Sequence, residues 1–193
     1  MSTSGDGPSS EVWLVRHGET EWSRDGKHTS TTDLPLTPVG EEAALALKQQ
    51  LSGTDFDLVL TSPRQRARRT AELAGFADAD VEEDLVEWTY GDYEGVTTAE
   101  IRETVPGWTV WSHPLPGGET ASRVAERLDR VVARARAVPG RTLVFAHGHS
   151  LRVLTARWLE QPPEEGRLFR LDTSTVSVLG FERESPVLLR WNA

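Results

Sequence analysis

The chain has 193 residues, no cysteine and a formal net charge of −9 at pH 7. A chain of this length suits one domain with a sizeable core, and no internal stretch has the composition of a linker. Because the first residues are rich in Ser, Gly and Pro, we expect a flexible N-terminal tail over residues 1–10 and a single domain over residues 11–193.

The charge and the missing cysteines exclude several function classes. An acidic chain argues against a nucleic-acid partner and against an anionic membrane surface. Without cysteine there is no disulfide, no thiolate nucleophile and no cysteine-ligated metal. No apolar run reaches the roughly 18 residues of a membrane helix, and the polar N-terminus lacks the apolar core of a signal peptide. We therefore expect a cytoplasmic protein with no membrane partner, and the sequence leaves its oligomeric state open.

Strands and helices alternate in the first half of the chain. Apolar runs at residues 12–15 and 57–60 predict buried strands. The helix after the first strand is predicted to begin at Thr37–Pro38 and to end at Gly53, and the helix after the second to begin at Ser62–Pro63. A helix after each strand predicts parallel strands joined by right-handed crossovers.

The rest of the chain combines loops with further helices and strands. Residues 18–36 form a polar loop of a length that is usually functional. Thr97 and Glu100 form a capping-box pattern that predicts a short helix, and residues 106–118, rich in Pro, Gly and Trp, predict a rigid loop or a lid. The other predicted elements are helices at about 122–138 and 150–159 and strands near 143–146, 176–181 and 187–191.

Polar residues follow three of the predicted strands at the points where the strands end. Arg16 and His17 follow the first strand, Ser62 follows the second, and His147 and Gly148 follow a later one. Ligands of open α/β sheets collect at the carboxyl ends of strands, and guanidinium, imidazole and hydroxyl groups suit a phosphate monoester. The backbone N–H of Gly148 adds a donor at the start of a helix, where the helix dipole favours an anion.

These strand ends belong to a set of motifs that resembles the histidine phosphatase superfamily, which has the phosphoglycerate mutase-like fold. The motifs keep the family's order, and they are RHGETEW at 16–22, DLPLT at 33–37 with Gly40, TSPRQRA at 61–67 with Thr70 and Ala71, Glu87 with Gly91, Glu94 and Gly95, and AHGH at 146–149. The resemblance is strongest to small bacterial phosphatases and sugar-bisphosphatase-like members. It implies an α/β fold of three layers, with a mostly parallel sheet and helices on both faces.

The resemblance also implies roles for individual residues and a reaction without a cofactor. His17 corresponds to the phosphate-accepting nucleophile and Glu87 to the proton donor. The residues expected around the phosphoryl oxygens are Arg16, Arg66 and His147, in addition to Gly148. The residues expected to contact the substrate are Ser23, Thr29, Ser30 and Tyr90.

The chemistry of such a site sets requirements on its two catalytic groups. The nucleophile must be a neutral imidazole, so we expect the second ring nitrogen of His17 to donate to a fixed acceptor such as a backbone carbonyl beyond Gly18. Attack gives a phosphohistidine, which water then hydrolyses. The leaving alkoxide needs a proton, and we expect Glu87, beside Trp88 and opposite a phosphate dianion, to hold it once substrate is bound. These requirements predict a neutral-to-acidic optimum.

Other charged residues near the motifs are assigned to the surface. Within the arginine-rich run at 64–69, we expect only Arg66 to reach the phosphate, because helical spacing places Arg64 and Arg68 on a different side. The remaining histidines are expected to lie at the rim of the site: His28, His113 and His149.

Two departures from the family's mutases favour hydrolysis. Ser23 stands where many mutases have Asn, and the segment between Gly95 and Gly118 is short compared with the substrate-binding insertion of the mutases. We therefore expect a phosphomonoester hydrolase that acts on a small phosphorylated metabolite, either a sugar phosphate or a phosphoglycerate-like compound. A cofactor-dependent phosphoglycerate mutase is the first alternative.

Two further alternatives use the same residues. A metal-dependent phosphoesterase would ligate an ion through His147 and His149 together with His17, Asp33 and Glu87, but arginines beside the nucleophile compete for the role of the metal. A non-catalytic module would bind a phosphorylated ligand without turnover, although a binder needs neither a nucleophile nor an acid. The sequence therefore predicts a catalytic site with no metal.

Overall fold

The computed structural model describes residues 10–193, which form a six-stranded sheet with the order β3-β2-β4-β1-β5-β6. The strands are β1 (Glu11–Arg16), β2 (Leu58–Thr61), β3 (Asp80–Val81), β4 (Arg141–Ala146), β5 (Val176–Glu182) and β6 (Ser185–Arg190). The pairs β1–β4, β2–β4 and β2–β3 are parallel, whereas β5 runs antiparallel to both β1 and β6. The expected mostly parallel sheet is confirmed.

Six α-helices connect these strands. They are α1 (Glu21–Arg24), α2 (Pro38–Leu51), α3 (Gln65–Leu73), α4 (Thr98–Thr104), α5 (Ala121–Arg136) and α6 (Gly148–Trp158). Short 3-10 turns lie at Glu83–Leu85, Gly91–Tyr93 and Pro163–Leu168. No helix within residues 10–193 is long and apolar enough to cross a membrane.

Alternate residues of the central strands bury their side chains in two separate clusters. Leu14 of β1 packs in one cluster with Leu128 of α5 and residues of α6. Val15, the next residue, packs in the other cluster with Leu47 of α2 and Ala71 of α3. Because successive side chains of a strand point to opposite faces, the helices cover both faces of the sheet, and the expected three-layer α/β fold is confirmed.

The parallel register brings the ends of three strands to one edge of the sheet. Arg16 pairs with Ala146, and the backbone N–H of His17 donates to the carbonyl oxygen of Ala146 over 2.9 Å. The N–H of Ser62, after β2, donates in the same way to Phe145 over 2.9 Å. The residues that follow β1, β2 and β4 are therefore neighbours in space, as the sequence predicts.

The starts of two helices and the content of one loop differ from the prediction. The helix predicted to begin at Ser62–Pro63 begins at Gln65, because the N–H of Ser62 continues the sheet hydrogen bonding. The last helix begins at Gly148 instead of near residue 150. The loop at 18–36 contains the unpredicted helix α1, which Thr20 caps.

Two other expectations concern the ends and loops of the chain. The tail expected over residues 1–10 lies outside the described residues except for Ser10, which is buried. In the segment at 106–118, Trp108, Val110 and Leu115 are buried in the larger core cluster. This packing favours a rigid loop over a lid.

A close backbone contact between Gly40 and Glu19 fixes the loop that follows the first strand. The N–H of Thr37 donates to the carbonyl oxygen of Glu19 over 2.9 Å, and the Thr37 hydroxyl donates to the Glu19 carboxylate over 2.7 Å. A Cβ atom on Gly40 would lie 2.2 Å from the carbonyl oxygen of Glu19. Only glycine therefore lets the start of α2 hold the segment next to His17.

We expect Gly40→Ala to lower the free energy of unfolding by about 2 kcal/mol or more, because the added methyl group forces two backbone segments apart. Chemical denaturation of the variant and the parent measures the difference. The matched control is Glu42→Ala, on the exposed side of the same helix. Equal stability of the Gly40→Ala variant and the parent would contradict the close packing.

Candidate active site

A cavity of about 210 Å³ opens at the edge of the sheet where β1 and β4 end. Seven of the site residues expected from the sequence line it: Arg16, His17, Ser23, Thr29, Glu87, Tyr90 and Gly148. The other three expected residues, Arg66, His147 and Ser30, are buried and do not line it. The structure therefore gathers most of the expected set around one cavity and places the remainder in its supporting wall.

His17 is held as a neutral imidazole with one free ring nitrogen. Its Nδ1 lies 2.7 Å from the carbonyl oxygen of Gly18, which can only accept, so the ring proton is on Nδ1. Burial, together with the charges of Arg66 and Arg16, keeps the pKa of His17 well below its usual value. Its Nε2 thus carries a lone pair at neutral pH. The acceptor is the carbonyl oxygen of Gly18 itself, whereas a carbonyl oxygen of a later residue was expected from the sequence.

The carboxyl group of Glu87 accepts three hydrogen bonds from backbone N–H groups. Its Oε1 accepts from Ser150 over 2.8 Å and from Trp88 over 2.9 Å, and its Oε2 accepts from His149 over 3.0 Å. Two of these donors are the free N–H groups at the start of α6, where the helix dipole is positive. Glu87 therefore serves as the N-terminal anion of α6, and it faces the same cavity as His17.

Arg16 is a buried cation whose donors are only partly used. It donates to the carbonyl oxygen of Leu171 over 2.6 Å, while its buried Nε has no hydrogen-bond partner among residues 10–193. Burial lowers the pKa of the guanidinium, and the charge of Glu87 partly opposes this shift. A Cβ atom built on Gly148 would lie 3.4 Å from the Arg16 guanidinium carbon, so the glycine lets the two groups approach. The Arg16 guanidinium and the backbone N–H of Gly148 can therefore both donate to an anion in the cavity.

Arg66 is fully buried, and its guanidinium bonds mainly to a loop. It donates to the carbonyl oxygens of Thr29, Ser30 and Thr32, over distances of 3.0 to 3.4 Å. Its Nε donates to His147 Nδ1 over 3.2 Å. In the structure, Arg66 therefore fastens the loop at 29–32 to the wall of the site.

His147 lies beside His17, with ring centroids 5.2 Å apart, and both of its ring nitrogens are bonded. Because its Nδ1 accepts from Arg66, its Nε2 carries the proton and donates to the Ser62 hydroxyl over 2.7 Å. Burial and the charge of Arg66 keep its pKa well below the usual value for histidine. In the structure, His147 therefore links Arg66 and Ser62 next to the nucleophile.

The hydroxyl groups expected to bind substrate donate to the protein itself. Ser23 donates to the carbonyl oxygen of Thr20 over 3.0 Å, and Thr29 donates to Lys27 over 3.1 Å. Ser30 is buried and donates to the carbonyl oxygen of Glu87 over 3.1 Å. Its side chain therefore supports the backbone of Glu87 and does not line the cavity.

Arg127, which was not among the residues expected from the sequence, fixes the segment that carries Glu87. Arg127 donates to the carbonyl oxygens of Asp84 and Val86 over 2.7 Å each, and it pairs with Glu119 over 3.0 Å. It belongs to the buried face of α5, which the sequence presents as an apolar stripe. A charged residue on such a stripe is the signal that could have identified it.

Two of the three histidines expected at the rim line the cavity instead. His28 is buried because its ring packs against Tyr90 and Trp108, with centroids 4.8 and 5.2 Å apart. His149 also lines the cavity, whereas His113 does not. The two remaining cations of the lining are Lys27 and Arg152.

The donor groups do not form a metal centre. Within residues 10–193 no group of three or more His, Asp or Glu side chains is arranged to hold a metal ion. The nitrogens of His147 bond to Arg66 and Ser62, and the carboxylate of Glu87 bonds to N–H groups. These contacts do not fit the metal-dependent alternative.

Comparisons with known proteins agree with this geometry. The model of the histidine phosphatase superfamily (branch 1) matches residues 12–193. An acid phosphatase of Mycobacterium tuberculosis is 42% identical over 173 residues, covering 88% of this chain and 85% of the relative. Sedoheptulose 1,7-bisphosphatase of Saccharomyces cerevisiae is 39% identical over 178 residues, covering 75% of this chain and 66% of the relative.

The fold is shared with a solved structure as well. The product of the open reading frame Rv3214 from Mycobacterium tuberculosis superposes with a TM-score of 0.92 at 39% identity, over 95% of this chain and 97% of the other. The superfamily match includes every residue of the cavity described above. The chain therefore belongs to the histidine phosphatase superfamily, and it is a phosphatase.

Proposed function

We propose that this cavity hydrolyses phosphate monoesters of small metabolites through a phosphohistidine on His17. The observation that carries the proposal is the neutral ring of His17, whose free Nε2 shares a cavity with Arg16 and Glu87. The incompletely bonded guanidinium of Arg16 and the N–H of Gly148 supply donors for the phosphoryl oxygens. Phosphate binding by Arg66 and His147 stays a prediction, which requires that some of their present hydrogen bonds rearrange.

The reaction proceeds in two displacements. In the first, His17 Nε2 attacks phosphorus and the phosphorus–oxygen ester bond breaks, while Glu87 gives its proton to the leaving oxygen. In the second, Glu87 takes a proton from water, the water oxygen attacks phosphorus, and the phosphorus–nitrogen bond breaks to release phosphate. The proton on Nδ1 of His17 stays there throughout, and its hydrogen bond to the carbonyl oxygen of Gly18 stabilises the positive charge that forms on the ring.

The proton-donor role of Glu87 depends on the substrate. In the structure, three backbone N–H groups stabilise its charged form. A bound phosphate dianion brings negative charge close to the carboxylate and favours its protonated form. We therefore propose that Glu87 takes up its proton when the substrate binds.

We also propose that residues 11–193 act as one domain and that the protein works in the cytoplasm on a small phosphorylated substrate. The family match from residue 12 to residue 193 supports the first statement. Two separate unfolding transitions in calorimetry would contradict it. Cell fractionation tests the location, and recovery outside the cytoplasm would contradict it.

The first prediction concerns the nucleophile. We expect His17→Ala to lower phosphate release by about 10³-fold or more, because the variant lacks the ring nitrogen that forms the covalent intermediate. The matched control is His113→Ala, outside the cavity, which should keep the parental rate. The assay uses p-nitrophenyl phosphate and a panel of sugar phosphates, and EDTA should leave the parental rate unchanged.

An alkaline quench during turnover should trap phosphate on the parent and not on the His17→Ala variant, because phosphate on nitrogen survives alkali and is lost in acid. Unchanged turnover in the variant would contradict the proposed function. Loss of activity with EDTA would favour the metal-dependent alternative, and the absence of any hydrolysis across the panel would favour the binding module.

The second prediction separates the proton donor from the nucleophile. We expect Glu87→Gln to lower kcat/KM by about 10²-fold or more for a sugar phosphate, because its alkoxide leaves poorly without a proton. The loss should be much smaller for p-nitrophenyl phosphate, whose weakly basic phenolate needs no proton. Equal losses for both substrates would contradict proton donation by Glu87.

The third prediction concerns pH. A pKa of His17 well below its usual value means that the nucleophile loses its lone pair only in acid, and a step that needs a general acid slows as the pH rises. We expect kcat/KM for a sugar phosphate to be highest between about pH 5 and 7 and to fall toward about pH 9. A rate that rises steadily through this range would contradict the assignment.

A further inference from the structure

Two histidines line the cavity, and no step of the proposed reaction uses their side chains. The rings of His28 and His149 are nearly parallel, with an angle of 12° between their planes and 6.3 Å between their centroids. The edges of neighbouring aromatic rings hold them in place: Trp108 lies 5.2 Å from His28, and Trp111 lies 5.3 Å from His149. Both imidazoles are therefore fixed elements of the cavity wall.

The proton of the His149 ring is on Nε2. The hydroxyl of Tyr90 lies 2.6 Å from His149 Nδ1. Burial and the charge of Glu87 raise the pKa of Tyr90 well above its usual value, so the phenol keeps its proton, and among residues 10–193 His149 Nδ1 is the one acceptor within its reach. His149 Nδ1 accepts this hydrogen bond, which leaves Nε2–H as a donor. Burial keeps the pKa of His149 well below its usual value, so the ring is neutral.

The proton of the His28 ring is on the opposite nitrogen. His28 Nδ1 lies 2.7 Å from the carbonyl oxygen of Val96, which can only accept. Nδ1 therefore carries the proton, and Nε2 presents a lone pair. Burial lowers the pKa of His28, so this ring is neutral as well. Its backbone is fixed by a hydrogen bond to Val96 over 3.0 Å.

The two rings thus give the cavity one fixed donor and one fixed acceptor. Neither Nε2 atom has a hydrogen-bond partner among residues 10–193. Neither is fully buried, so both remain accessible. The backbone N–H of His149 donates to Glu87 Oε2 over 3.0 Å, and Glu87 lines the same cavity as both rings. Because Glu87 protonates the leaving oxygen in the proposed reaction, the leaving alcohol is the portion of the substrate that these two rings would meet.

We propose that His28 and His149 determine specificity by binding hydroxyl groups of the leaving alcohol, with His28 Nε2 as acceptor and His149 Nε2–H as donor. The preferred substrate is then a phosphate ester of a polyol, because a hydroxyl group both donates and accepts. A carboxylate or a plain alkyl group leaves the acceptor of His28 unpaired, which disfavours it. This inference rests on the proposed function and adds the chemical class of the leaving group.

A matched pair of esters tests the proposal. Glycerol 1-phosphate and n-propyl phosphate have the same three-carbon length and differ in their hydroxyl groups. We expect the parent to favour glycerol 1-phosphate in kcat/KM by about tenfold or more. Parental hydrolysis of p-nitrophenyl phosphate, run beside both esters, establishes that the catalytic centre is active.

Two variants delete the free ring nitrogens and keep the contacts that hold the side chains. His28→Asn retains an N–H that can donate to the carbonyl oxygen of Val96, and His149→Asn retains an oxygen that can accept from Tyr90. Neither variant has an atom in the place of the histidine Nε2. We expect each to lower the ratio of the two kcat/KM values by about tenfold. His113→Asn, outside the cavity, is the control and should keep the parental ratio.

The possible outcomes test the inference and the proposed function separately. A parent that hydrolyses both esters equally well, or variants whose ratios stay within about twofold of the parental ratio, would overturn the inference and leave the proposed function standing. A parent that hydrolyses none of the three substrates would overturn the proposed function and the inference with it. Melting temperatures identify a variant that fails to fold, in which case the other variant and the parental preference decide.

Discussion

The hydrogen bond from His17 Nδ1 to the carbonyl oxygen of Gly18 is the contact on which the rest of the site depends. A histidine can attack phosphorus only through an unprotonated nitrogen, and this bond leaves Nε2 as that nitrogen. The carbonyl can hold the ring because Gly18 and Gly40 approach too closely to admit a side chain: a Cβ on Gly18 would lie 2.6 Å from Gly40 oxygen. The tautomer of one ring thus follows from the packing of α2 against the end of β1.

The arginines of the cavity around His17 have different hydrogen-bond partners from the arginines at the surface. Many surface arginines of this acidic chain pair with carboxylates, as Arg69 does with Glu41. In the cavity, by contrast, Arg16 and Arg152 donate to backbone carbonyls. The one carboxylate of the lining, Glu87, bonds to the N-terminus of α6. A phosphate entering the cavity therefore meets cations that are not neutralised by an adjacent carboxylate.

The sequence predicts well what depends on local patterns and strand order. Apolar runs ending in Arg16–His17 and His147 identify the edge of the sheet where the cavity lies, because parallel strands end together. It predicts poorly what depends on side chains meeting across the fold. The sequence did not indicate that Arg66 bonds to loop carbonyls, or that the Ser30 hydroxyl bonds to the carbonyl oxygen of Glu87. Arg127 on α5 was missed for the same reason: its partners lie about 40 residues away in the chain.

The protonation state of His17 in the free enzyme tests the account most directly. Nitrogen-15 NMR of the imidazole, assigned by comparison with His17→Ala, distinguishes the neutral Nδ1–H form from the doubly protonated ring. We expect His17 to remain in the neutral Nδ1–H form as the pH falls from about 8 through about 6.5, the ordinary histidine pKa. A ring that gains its second proton near the ordinary histidine pKa, or that carries its proton on Nε2 at neutral pH, would contradict it.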